Sequence, residues 1–172
     1  LNPSTVNRLV HTLIGAFVLG AFFIMSISAY YLLRGRHEDF ARRSFSGGLL
    51  FATIASVAAL ISGDANGRMV ARYQPAKLAA FERHLQTGPA DLFVIPGGLS
   101  LLLHGDRNAE VPGLDRVRPE YRPPVLPAYV SFRLMVGLGM FFLALTLYAS
   151  GLRLRGTLFS KRWLLWVFVF AV

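Results

Sequence analysis

The chain contains no cysteine and little charge. Of its 172 residues only 16% are Asp, Glu, Lys or Arg, and the nine acids are outnumbered by eighteen bases. Without thiols there is no disulfide framework, no thiolate zinc or iron–sulfur site and no cysteine nucleophile, so any metal must be held by His, Met, carboxylate or backbone. Ordinary globular chains carry about 25% charged residues, so a typical soluble domain is excluded, and an apolar content of 54% excludes disorder. The few charges are also segregated: the stretches 9–33, 45–62 and 134–152, of 25, 18 and 19 residues, have none. An α-helix needs about 20 residues to cross a hydrocarbon layer about 30 Å thick. The fold class read from these runs is all-α, a polytopic transmembrane helix bundle with three complete spans.

A further apolar run, Trp163 to Val172, is ten residues long. As a helix it covers about 15 Å, half a bilayer, and is expected to be the start of a fourth, truncated span. With Leu1 rather than Met at its head, the sequence reads as a piece of a longer one. No basic segment followed by a small-residue cleavage site marks a signal peptide.

The net charge of +9 falls mostly in two short loops. Arg34, Arg36, Arg42 and Arg43 outweigh Glu38 and Asp39, and Arg153, Arg155, Lys161 and Arg162 stand without an acid. By the positive-inside rule these loops are cytoplasmic, which leaves the N-terminus and the long segment 63–127 outside, where eight bases nearly cancel seven acids. A nucleic-acid surface would gather the excess on one exposed face with aromatic partners, whereas here it is divided between two short loops, so no nucleic-acid partner is expected. The domain organisation follows: 1–62 holds two spans joined by a basic cytoplasmic loop, 63–127 is an extracytoplasmic loop, and 128–172 holds the third span, a second basic loop and the start of a fourth span.

The first two spans are rich in small residues, Gly15, Ala16 and Gly20 in one and Gly47, Gly48 and Ala52 in the other, which predicts close helix packing. Segment 63–127 holds eight of the nine prolines, and loops of this length are commonly functional. Gly63, Asp64 and Gly67 read as turn chemistry at a span exit. Gln74 to Gln86 reads as a short helix near 75–86, with Pro75 in its first turn and Gly88 beyond its end. Arg122 to Pro127 should be extended into span three.

His11 is the only ionisable side chain inside span one, which makes it a functional candidate by default, with a packed interfacial histidine as the alternative. Met135 alone would be an ordinary core filler. Spans one and three run in the same direction, however, and each residue lies a few positions inside the outer boundary, so the two share a depth. An imidazole and a thioether at one depth in a bundle are an axial pair for a low-spin b-type haem, with His11 and Met135 as the iron ligands; such ligation suits electron transfer. Arg133, two residues before Met135, would put positive charge near a haem propionate, or else snorkel to water. In the outer segment, Glu82 would accept a proton from a hydroxylated substrate and Lys77 would polarise its oxygen, with solvated surface charges as the alternative. The two are five apart, about 140° around a helix, so they do not form an i,i+4 pair, and one can face a pocket while the other faces elsewhere. His37, His84 and His104 lie on separate segments, without the HExxH spacing of a zinc site. There is no supported Ser/His/Asp triad and no phosphate loop.

Gly63-Asp64-Ala65-Asn66-Gly67 followed by Gln74-Pro75-Ala76-Lys77-Leu78-Ala79-Ala80-Phe81-Glu82 resembles the stretch that opens the quinol-binding loop in subunit I of cytochrome bd-type quinol oxidases. Asn2-Pro3 through His11 is similar to the start of that family's fifth helix, Ser131 to Gly137 to its FRxMVG segment, and Gly105 to Val111 with Pro119 to Pro124 to its compact loop. The resemblance spans essentially the whole chain. It implies a haem-containing respiratory quinol:O2 oxidoreductase subunit of the bacterial cytoplasmic membrane. His11 and Met135 would hold the low-spin haem b, Arg133 would lie near it, and Lys77 and Glu82 would serve quinol oxidation. Electrons would pass to a high-spin haem b and a haem d whose ligands lie outside these residues. The implied partners are oxidase subunit II, small single-span subunits, quinol and the lipid bilayer. The fragment alone is not expected to be active. The competing readings are a non-enzymatic transporter or assembly fragment, and a quinone-linked b-type cytochrome without oxygen chemistry.

Overall fold

A computed structural model describes residues 4–92 and 95–172; Asn2 and Pro3 of the resemblance lie outside the described residues. Among the described residues six α-helices follow in order: α1 (Thr5–Leu33), α2 (Glu38–Tyr73), α3 (Pro75–Phe81), α4 (Gly98–His104), α5 (Val125–Leu154) and α6 (Arg162–Val169). There is no strand among the described residues, only the isolated bridges Gly88–Val111 and Leu92–Ile95. Among the described residues three helices are long and apolar enough to cross a membrane, as the charge-free runs predict. The chain divides into two compact units, one made of the residues up to Gly63 with Gly139–Val172, the other of Asp64–Leu138.

In the first unit, Ala21, Phe22, Met25 and Ala29 of α1 repeat at helical spacing and meet Phe45, Leu49 and Ala52 of α2, Leu145 and Ala149 of α5, and Leu164, Leu165 and Phe168 of α6. Phe168 sits edge-on to Phe45 at 5.0 Å and Phe22 lies 4.6 Å from Phe142. Where the lipid is as apolar as the side chains, such packing rather than water exclusion holds helices together. The close approach depends on Gly48, where a Cβ would stand 3.0 Å from Met25 Cγ. Gly15 and Gly20, expected to set the approach of α1, instead face open space. The two basic loops come together in this unit. Arg42 and Arg153 both lie over the Phe159 ring, at 5.2 and 5.7 Å, and Arg153 Nε donates to Ser46 Oγ at 2.8 Å.

In the second unit, α2 continues well past the expected exit at Ser62. Gly63 and Gly67 lie inside the helix rather than in a turn. Each helical glycine costs about 1 kcal/mol, offset by the Asp64–Arg68 ion pair at 2.9 Å and by Met69, Val70 and Ala71, which pack inward. The helix stops where it must, since Pro75 drives Gln74 out of the helical region to φ −141°, ψ 58°. At the other end α5 begins at Val125, inside the stretch expected to be extended. Pro127 is tolerated there because the first-turn N–H groups have no intrahelical partner to lose.

The proline-rich segment between α3 and α5 is folded. Ser100, fully buried, accepts from Ala90 N and donates to Ala109 O, both at 2.8 Å. His84 Nε2 lies 3.0 Å from the Val111 carbonyl, which fixes its proton on that nitrogen. The Thr87 hydroxyl and amide both donate to Asp115 Oδ1, at 2.8 and 3.0 Å. The hydroxyl bond chiefly holds the Asp115 carboxyl below the usual range. Gly97 is required twice over: its φ is +63° and a Cβ would stand 2.5 Å from the Arg107 carbonyl oxygen.

Candidate functional site

The sequence Lys77-Leu78-Ala79-Ala80-Phe81-Glu82-Arg83 builds a short helix and an abrupt turn. Leu78, Ala79 and Ala80 are buried. α3 ends at Phe81, five residues short of the expected limit, because Arg83 takes a left-handed φ of +55°. His84 N donates to Ala79 O at 2.8 Å and Arg83 N to Ala80 O at 3.3 Å. This pair of bonds is a Schellman ending with arginine where glycine is usual. Glu82 is thereby the capping residue, positioned by a rigid turn.

The Glu82 carboxylate is turned inward. Arg133 Nη2, on α5, donates to Glu82 Oε2 at 2.6 Å, and the two side chains are 17% and 3% exposed, the arginine's value first. The Arg133 guanidinium also lies 5.1 Å from the ring of Tyr129, one turn earlier on α5. Burial raises the Glu82 carboxyl above the ordinary carboxylate range, and the neighbouring Arg133 opposes that rise. Desolvation therefore outweighs the ion pair, leaving a carboxylate suited to take up a proton. Arg133 does not snorkel to water, and Glu82 is not a solvated surface charge.

Lys77 is exposed and faces elsewhere. Its Nζ lies 5.3 Å from the Phe81 ring, and that ring stacks on Phe132 of α5 with centroids 4.8 Å apart and planes 3° from parallel. Lys77 and Phe81 line a largely apolar cavity of about 740 Å³ that also takes in Gln74, Arg116 and Tyr121. Glu82 is not among its lining residues, so lysine and carboxylate stand on different sides of α3, as their five-residue spacing allows. Sequence reasoning gave no role to Phe81, Phe132, Tyr129, Arg116 or Tyr121, although Phe81, Tyr121 and Phe132 lie within stretches that carry the family resemblance.

His11, half-buried on α1, has its Nδ1 2.8 Å from Ser62 Oγ on α2. Its Cε1 is 3.6 Å from where a Cβ on Gly63 would stand, an ordinary contact distance. Nε2 makes no hydrogen bond among the described residues. Met135, on α5, is 54% exposed. Each has a glycine four residues on, Gly15 and Gly139, where an added Cβ would meet nothing within 4 Å. Residues four apart share a helix face, so the surface beside each donor is open enough for a flat ring. The imidazole nitrogen without a hydrogen bond on α1 and, separately, the exposed thioether on α5 are each donor types that a haem iron takes. Among the described residues there is no cluster of His, Asp and Glu for a bare metal ion.

The family profile described as cytochrome bd terminal oxidase subunit I matches residues 1–172. The cytochrome bd-II ubiquinol oxidase subunit 1 of Escherichia coli (strain K12) is 37% identical over 78% of this chain and 30% of its own length. The cytochrome bd ubiquinol oxidase subunit 1 of Bacillus subtilis (strain 168) is 27% identical over 98% of this chain and 42% of its own. The solved structure of the bd oxidase from Geobacillus thermodenitrificans superposes with a TM-score of 0.88 at 29% identity, covering 99% of this chain and 43% of that one. The chain thus spans less than half the length of these relatives. With the sequence motifs, the helical fold and the profile over every residue in agreement, the chain belongs to the cytochrome bd terminal oxidase subunit I family.

Proposed function

We propose that these residues form the quinol-oxidising segment and the low-spin haem site of a respiratory quinol:O2 oxidoreductase, working with oxidase subunit II and small single-span subunits in a bacterial cytoplasmic membrane, residues 63–127 outside. The observation that carries this reading is the buried Glu82–Arg133 pair at the end of the short helix whose Lys77 lines a largely apolar cavity, in a family whose relatives are ubiquinol oxidases. Quinol gives up two protons and two electrons on becoming quinone. The aromatic ring of a quinol suits the apolar cavity walls and the face of Phe81. Lys77, at that ring, orients a substrate oxygen by charge. Glu82, on the other side of α3 from the cavity, is the onward proton acceptor: Arg133 holds its carboxylate in place until it takes the proton and becomes the neutral acid.

In this reading His11 and Met135 would hold the haem iron. A low-spin b haem held there would supply one-electron transfer, serving a high-spin haem b and a haem d at which the full oxidase would reduce O2 to water. His11 offers Nε2, its Nδ1 being held by Ser62, and Met135 offers its thioether; Arg133 supplies positive charge two residues before it.

Redox difference spectra of the full-length subunit in its complex test the site. His11→Ala and Met135→Leu are expected to lose the low-spin b signal; an unchanged spectrum in both would refute the haem assignment. Glu82→Gln is expected to keep every haem signal while kcat for quinol falls about 10²–10⁴-fold, the range for a lost proton acceptor. Lys77→Ala should act mainly on KM.

A further inference from the structure

We infer that Ser62 is a positioning residue for His11, setting the imidazole tautomer and tuning the iron that His11 would hold. The inference rests on the haem reading above. His11 Nδ1 and Ser62 Oγ are 2.8 Å apart, joining α1 and α2 within one unit. Two proton arrangements satisfy that contact. If Ser62 donates to Nδ1, the ring proton sits on Nε2 and that nitrogen has no lone pair for a metal. If Nδ1–H donates to Ser62, Nε2 is free to ligate. Only the second fits a ligand, and the surroundings complete it: the Ser62 hydroxyl reaches the Ala59 carbonyl, 3.2 Å away, as acceptor for its own proton. The chain Nδ1–H to Ser62 Oγ to Ala59 O therefore runs in one direction, with nothing left unpaired.

The hydrogen bond at Nδ1 fixes the ring from the α2 side, and next to Ser62 the helix carries only Gly63, where a Cβ would stand at an ordinary contact distance of 3.6 Å from His11 Cε1. An Nδ1–H donating to an acceptor makes Nε2 a stronger donor and favours ferric iron; partners of this kind typically change metal affinity 10–100-fold.

The test uses full-length subunit in the assembled complex, with Ser62→Ala and Ser62→Thr compared by redox titration of the low-spin signal, ferric EPR and haem retention against an excess of apomyoglobin. Ser62→Ala is expected to keep the signal, raise its midpoint potential, shift its g values and weaken haem retention about 10–100-fold, while Ser62→Thr, which keeps the hydroxyl, restores all three. An unshifted potential in Ser62→Ala, or equal shifts in Ala and Thr variants, would overturn the inference and leave the haem assignment standing. Persistence of the low-spin signal in His11→Ala would instead remove the assignment itself.

Discussion

The Glu82–Arg133 pair yields a quantitative expectation for Arg133→Leu. The substitution keeps apolar volume on α5 but removes the cation 2.6 Å from Glu82 Oε2, and the glutamate side chain is only 3% exposed. Deleting one member of a buried pair costs about 3–5 kcal/mol. With Arg133 itself 17% exposed, the lower figure of about 3 kcal/mol applies, or about a hundredfold in the local opening equilibrium. The carboxyl can, however, relieve the penalty by keeping its proton. Burial already raises it in the wild type and Arg133 is the opposing influence, so the variant holds the proton to higher pH. A group raised on folding contributes stability that is full below its unfolded pKa and is lost as pH rises through the folded value. In Arg133→Leu that loss begins at the same pH but runs further. The penalty should therefore be small in acid and approach about 3 kcal/mol once Glu82 is ionised in both proteins. Hydrogen exchange at the amides of residues 82–84 across pH, with infrared detection of the protonated carboxyl, measures both quantities. A penalty that does not change with pH, or a carboxyl that ionises earlier in the variant, would refute the reasoning.

Three further outcomes follow from the same geometry. Arg83→Gly relieves the left-handed backbone at φ +55° and should protect the α3 ending more strongly, by about 0.5–1 kcal/mol in exchange at the His84 amide. Asp115 is lowered on folding by its Thr87 hydrogen bonds, so its contribution is present above the unfolded pKa and lost as pH falls through the folded one. Protection of the Thr87 amide should drop in acid, once intrinsic exchange is corrected for, and Asp115→Asn should abolish that dependence. Gly48→Val forces side-chain atoms onto Met25, where even a Cβ stands 3.0 Å from Cγ. It should destabilise the first unit by about 1–3 kcal/mol, read as a lower thermal midpoint in detergent; a midpoint equal to wild type would show that α1 and α2 do not depend on that approach.

What the sequence determined by itself was everything carried by local pattern. Three charge-free runs predict three membrane-crossing helices because a bilayer demands about 20 apolar residues in succession. The single histidine in span one stands out because ionisable groups there are costly, and the ordered motifs around Lys77, Glu82 and Arg133 identify the family. Tertiary structure decided what depends on contacts between distant segments or on compensation. The pairing of Glu82 with Arg133, 51 residues away, follows from the turn at Arg83, and no propensity rule expects an arginine to adopt that conformation. α2 runs through Gly63 and Gly67 because an ion pair and buried Met69 outweigh glycine's preference for turns. Gly48 rather than Gly15 or Gly20 carries the helix approach, since spacing cannot say which face meets a neighbour. Ser62 was an unremarked serine at a span's end until folding set its hydroxyl against His11, because a hydrogen bond 51 residues long in sequence leaves no trace in local periodicity.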